Sequence, residues 1–326
     1  MSKAALVVIF NHRYEKNVAR LEEYYGPRFS HRYYLMPFAT SDQANVVRVI
    51  ENGWCFSGHI AQGVSRFRSD DVTHYVFLGD DLILNPALNE SNLVESLRLG
   101  QDAAYIKSLA SADEVRFRWP WSMYASKSLN AAKFDYTKEL PTIEEATRKI
   151  KEIGITFTKP FPQWRRDRKW LKLPFPHRKL RELHWNFKFF VPYLASVGGY
   201  LRSIGKPSVY PLLAGYSDFL VVPAKSIDLF AHYSGVFAAM NMFAEVAVPT
   251  ALALSCSSVE TELVIGDHFA DPGARRTSIS PLHGVELWEG EIQTFCKAHD
   301  FSWSRLLEEY PEDVLYYHPV KLSVWK

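Results

Sequence analysis

Apolar and polar positions alternate along the first third of the chain in two distinct rhythms. "ALVVIF" is a short β-branched run that reads as a first strand. "EKNVARLEEYYG" then puts Val18, Leu21 and Tyr25 on one helical face, and Gly26-Pro27 stops it. "HRYYLMPF" predicts a second strand, "WCFSGHIAQGVSRF" sets Phe56, Ile60, Val64 and Phe67 at helical spacing, and "HYVFLG" predicts the next strand. The resulting β-α-β-α-β order favours a mainly parallel sheet flanked by helices.

Further on, "DAAYIKSLA" and "VRFRWPW" look like strands. "LPTIEEATRKIKEIG" is a well-marked helix, with Thr142 and Glu145 as a capping box and Gly154 closing it. Rich in Pro, aromatic and basic residues, positions 157–207 break this pattern. They read as an insertion between an α/β half at 1–156 and a second half of the same domain at 208–326, resuming at "YPLLAGYSDFLVVP". The apolar run from Gly235 to Ser255 contains Asn241, Glu245 and Pro249, which favours two buried helices, the second ending near Pro249, over a membrane span.

At 326 residues with 47% apolar and 23% charged residues, the composition is that of an ordinary globular protein. Cys55, Cys256 and Cys296 lie far apart, without disulfide-framework or zinc-ligand spacing, which fits a reducing cytoplasmic setting. The N-terminus lacks the flanks of a signal peptide. Walker, GxGxxG, HExxH and GxSxG patterns do not occur. The formal net charge is only +2, yet Lys159 to Phe190 carries ten Lys/Arg against Asp167 and Glu182, a local +8. Interleaved with Trp164, Trp170, Phe175, Trp185 and Phe187, these cations suit an anionic membrane surface. An acidic saccharide or a nucleic acid would use the same residues, as would a solvated helix pair packed on the core, and nucleic acid is the less favoured partner.

The chemistry starts at Asp80 and Asp81, at the carboxyl end of "HYVFLG", where α/β sheets collect their ligands. Paired acids there either cap a turn or hold Mg²⁺ or Mn²⁺ on a substrate phosphate. With this placement, the sequence resembles the GT-A fold glycosyltransferases, whose acidic DxD motif ends a strand and binds a divalent metal on a nucleotide-sugar diphosphate. Here the window reads Gly79-Asp80-Asp81. The resemblance therefore implies Asp81 as metal ligand and Asp80 near the ribose or a metal-bound water, and the Gly in the first DxD position departs from the family pattern.

The resemblance covers roughly residues 4–125 and 208–325 and carries further expectations. Phe10, Asn11 and Arg13 would line the base and ribose pocket, with Arg13 near a phosphate. The helix bearing His59 and Gln62 would lie beside the nucleotide, unless these are surface residues. Tyr216, Ser217 and Asp218 would shape the acceptor site, where Asp218 could bind sugar hydroxyls or form an Asx turn.

Glu245, alone in an apolar helix, is either ion-paired or functional, since burying an unpaired carboxylate is costly. As the base of an inverting transfer it would take the acceptor's hydroxyl proton, with Asp218 as the second candidate. Late in the chain, His318 would return to the metal and Lys321 to the diphosphate, or His318 is a capping residue.

The implied activity is transfer of a sugar from a nucleotide-sugar donor to a glycan or lipid-linked acceptor, in surface polysaccharide or glycoconjugate assembly. Two alternatives use the same residues: a noncatalytic membrane- or nucleic-acid-binding module on a degenerate α/β core, and a metal-dependent nucleotidyltransferase. The latter calls for more clustered acids than the sequence displays.

Overall fold

The fold is described from a computed structural model, in which residues 3–115, 125, 128, 129, 131–157, 210–268, 274–276 and 280–326 are described. The basic aromatic stretch 159–190 and the strand expected beyond Val115 lie outside the described residues.

A seven-stranded sheet is formed, among the described residues, by β1 (Ala4–Ile9), β2 (Arg32–Pro37), β3 (Val46–Val49), β4 (His74–Gly79), β6 (Ala103–Ile106), β9 (Phe219–Pro223) and β10 (Ser258–Thr261). Its spatial order is β10-β6-β9-β4-β1-β2-β3, and β9 runs antiparallel to its neighbours while the other pairings are parallel. The protein is thus α/β with a mostly parallel central sheet, as the periodicity predicts. β3 was not anticipated: "VVRV" is only four residues long and has an exposed Arg48.

The β1 sequence explains how a continuous apolar run is used. Ala5, Val7 and Ile9 point to one face, under α2 (Ser57–Phe67), α4 (Ile227–Ala239) and α5 (Ala244–Ser255). Ala4, Leu6 and Val8 point to the other, under α1 (Glu15–Tyr25) and a small sheet of β5 (Ile83–Leu84), β11 (His283–Glu286) and β12 (Val314–His318). A strand buried on both sides has no polar alternation to show, which is the usual signature of a parallel sheet with both faces covered.

Helix α5 fixes the other half of the site. The expectation that it stops at Pro249 is corrected: α5 continues to Ser255. Pro249 has no N–H to give the Glu245 carbonyl. That carbonyl instead accepts the Gly215 N–H at 3.1 Å, while the Thr250 hydroxyl takes the Leu213 N–H at 2.9 Å. The proline thus turns a helix defect into the dock for β8 (Leu213–Ala214), which pairs with β7 (Ala110–Ser111), and for the Gly215–Asp218 loop. Gly215 itself is required there, because a Cβ would fall 2.2 Å from the Ser108 carbonyl oxygen.

The Gly235–Ser255 run holds the end of α4 and all of α5, with a break at 240–243, and no helix among the described residues is long and apolar enough to cross a membrane. The helix over "IEEATRKIKE", α3 (Ile143–Glu152), carries the predicted capping box, with the Thr142 hydroxyl accepting the Glu145 N–H at 3.2 Å.

Candidate functional site

Strand order places the acids. The chain runs outward from β1 to β2 and β3, then returns to β4 on the other side of β1, so the sheet's switch point lies between β1 and β4. Asp80 sits there: its N–H donates to Ile9 at 3.0 Å, and the Asn11 N–H lies 3.5 Å from its Oδ1. Because β9 is antiparallel to β4, the start of β9 meets the end of β4, and the Gly79 N–H donates to the Asp218 carbonyl at 3.0 Å. β12 pairs with β5, just beyond Asp81, and brings His318 in. The Val320 N–H then closes on the Asp81 carbonyl at 2.5 Å.

Residues more than two hundred positions apart therefore meet at one point. His318 Nε2 lies 3.3 Å from Asp81 Oδ1 and 4.0 Å from Asp218 Oδ1. Its Nδ1 lies 2.9 Å from Glu286 Oε2, a carboxylate that also accepts the Tyr216 hydroxyl at 2.5 Å and the Tyr316 hydroxyl at 2.9 Å. The Tyr216 hydroxyl contacts His318 Nδ1 as well. Behind Glu286, Lys107 Nζ stands 3.2 Å from Oε1.

Crowding acids away from water raises their affinity for protons. Burial and then Asp81 push the Asp80 carboxyl up to about 7. Burial lifts Asp218 to about 6, with His318 opposing and Asp81 and Glu286 adding to the rise. Glu245, in the first turn of α5, is raised well above the usual range by burial and then by Asp218. Burial disfavours a charge on His318, but Asp218, Asp81 and Glu286 outweigh it and hold the imidazole well above its ordinary value. Glu286 goes the other way: despite burial, His318 and Lys107 keep it below its ordinary value.

Gly79, standing where a DxD motif has its first acid, has a structural reason. A Cβ there would lie 3.3 Å from Asp81 Oδ1 and 3.8 Å from Asp218 Oδ1, so the missing side chain keeps the space between these carboxylates open. Asp81 Oδ1 is buried and faces His318 Nε2. Carboxylate oxygens and an imidazole around such a gap suit Mn²⁺ or Mg²⁺. Among the described residues, no group of three or more His, Cys, Asp or Glu side chains is already arranged as a metal site, and His318 and Asp81 are paired with each other.

The other predicted residues are placed unevenly. Phe10 is wholly buried, with its ring edge-on to Tyr34, inside the core instead of lining an open pocket. Asn11 is the loop residue that meets Asp80. Arg13 is half exposed and engaged by Glu15 at 3.2 Å and Thr40 at 2.6 Å. Tyr216 and Ser217 are buried, and the Tyr216 hydroxyl is used on Glu286 and His318, so that residue braces the site from behind. Lys321 is exposed one residue after Val320.

His59, one alternative for which was a surface position, is fully buried, and Gln62 binds the Ile50 backbone on both sides, at 2.8 and 3.3 Å. Sequence reasoning missed Glu286, Lys107 and Tyr316. Lys107 is the lone cation of "AAYIKSLA", the same signal that singled out Glu245.

Compared with family models, with curated proteins and with solved structures, the chain matches none.

Proposed function

We propose that the protein is a nucleotide-sugar-dependent glycosyltransferase of GT-A-like arrangement, transferring with inversion to a glycan or lipid-linked acceptor. One observation carries the reading: Asp81, Asp218 and His318, singled out separately in the sequence, lie within 4.0 Å of the same imidazole nitrogen or bear it, beside the switch point of the sheet. Asn11 and Asp80 would meet the nucleoside at the β1 edge, with Arg13 and Lys321 on the rim for phosphate oxygens.

Asp81 and His318 would hold Mn²⁺ or Mg²⁺, which supplies positive charge to the departing diphosphate. Glu245 would accept the acceptor hydroxyl's proton as that oxygen bonds to the sugar's C1, while the bond from C1 to the diphosphate oxygen breaks on the opposite side. Burial and Asp218 raise that carboxyl, so Glu245 holds a proton more strongly than an exposed glutamate does. Asp218 would orient sugar hydroxyls. The basic aromatic composition of 159–190 would suit attachment to an anionic membrane carrying a lipid-linked acceptor.

The test is release of nucleoside diphosphate from a panel of nucleotide sugars in the presence of Mn²⁺. Glu245→Gln is expected to lower turnover by about 10²- to 10⁴-fold, the span of general-base effects, and Asp81→Ala to abolish metal dependence. Full activity in both variants would sink this mechanism.

A further inference from the structure

We infer that Glu286, on β11, is a positioning residue of the site: it fixes the His318 ring so that Nε2 faces Asp81 and Asp218. The inference rests on the metal-assisted reading of that site.

The hydrogen-bond inventory of this one carboxylate carries the case. Oε2 accepts from the Tyr216 hydroxyl at 2.5 Å and lies 2.9 Å from His318 Nδ1. Oε1 accepts from the Tyr316 hydroxyl at 2.9 Å and faces Lys107 Nζ at 3.2 Å. Four donors exhaust the roughly four lone-pair positions a carboxylate offers, so Glu286 has nothing left for a substrate or a cation. An ionised carboxylate only accepts, so the proton between it and His318 belongs to Nδ1. Nε2 is then the nitrogen turned to the acids.

The support extends one layer further back. Lys107 is itself held by the Gly284 carbonyl at 2.7 Å and faces Glu262 at 3.7 Å, and Glu262 accepts the Gly284 N–H at 2.8 Å. Both charged side chains are almost completely buried. Three segments, β6 into Lys107, β10 into Glu262 and β11 into Glu286, are thereby tied together behind one imidazole. Carboxylates on the far nitrogen of a metal-binding histidine set its tautomer and orientation, and losing one typically weakens metal binding 10- to 100-fold.

The experiment uses the full chain and Mn²⁺ alone, with free metal counted by its paramagnetic resonance signal. A two-bond ¹H–¹⁵N spectrum of ¹⁵N-histidine-labelled protein at fixed pH accompanies it. In the wild type, His318 is expected to carry a proton on Nδ1, with or without a second on Nε2, a result that needs no variant; protonation on Nε2 alone overturns the inference.

Glu286→Gln should bind Mn²⁺ about 10- to 100-fold more weakly and shift the His318 nitrogen resonances. Tyr316→Phe, which leaves the His318 contact in place, should bind within about threefold of wild type, well short of that loss. Equal Mn²⁺ binding by wild type and Glu286→Gln overturns the positioning role while leaving the metal reading intact. A wild type that does not bind Mn²⁺ overturns the metal reading. The spectra then decide the positioning role, which unchanged His318 resonances in Glu286→Gln would overturn.

Discussion

At the scale of single residues, the most informative position is one with no side chain. Gly79 looks like damage to an acidic motif, yet it is the position from which a Cβ would crowd Asp81 Oδ1 and touch Asp218 Oδ1. Gly79→Ala should fold, with stability changed by no more than about 1 kcal/mol, and lose about tenfold or more in Mn²⁺ affinity; unchanged metal binding would show that the gap is not used. His59 makes a different prediction. Burial drives it down to about 4, so between that value and the ordinary 6.5 the folded state holds fewer protons than the unfolded chain. Its contribution is complete above about 6.5 and drains away as pH falls towards 4, by up to about 3 kcal/mol in total. Urea unfolding at pH 7.5 and 4.5 should show His59→Gln losing about 2–3 kcal/mol less than wild type across that interval; parallel losses would refute it.

At the scale of elements, periodicity made most of the scaffold legible. The β1, β2 and β4 runs, the helical spacing of Val18 and Leu21 and of Ile60 and Phe67, and the Thr142–Glu145 cap all correspond to elements of the fold. One element was missed and one reading failed, each for a physical reason. β3 is too short to show a pattern, and Pro249 does not end α5 because the Glu245 carbonyl it leaves without a helical donor accepts the Gly215 N–H from outside the helix. Which strand neighbours which is absent from any local pattern, so the pairing of Glu286 with Lys107 was invisible: it arises only when β6 and β11 are brought together. The contact between α5 and the Gly215–Asp218 loop predicts a sharp contrast. Gly215→Ala, whose Cβ would overlap the Ser108 carbonyl, should destabilise by about 1–3 kcal/mol. Gly100→Ala, with open space around it, should stay within about 0.5 kcal/mol of wild type. Equal melting temperatures for the two would mean the loop is not docked as described.

On the scale of the whole molecule, the two stretches flanking the basic segment share one sheet, since β9 is inserted between β4 and β6. That arrangement lets a loop after β4, a loop before β9, the first turn of α5 and the end of β12 address a single space. Among the described residues, the acids gathered there are under-neutralised: burial and mutual repulsion raise Asp80, Asp218 and Glu245 together, with His318 and, further back, Lys107 as the nearby cations. Added positive charge with an oxygen-rich ligand is what such a cluster favours. The most direct measurement is the melting temperature with UDP, GDP, CDP, CMP and ADP, each with and without Mn²⁺, in wild type and Asp81→Ala. One nucleotide should raise it only when Mn²⁺ is present, corresponding to about 2.7 kcal/mol at a hundredfold excess over Kd, and the rise should vanish in Asp81→Ala. No shift with any nucleotide, or an equal shift without metal and in the variant, would contradict the assignment of this site.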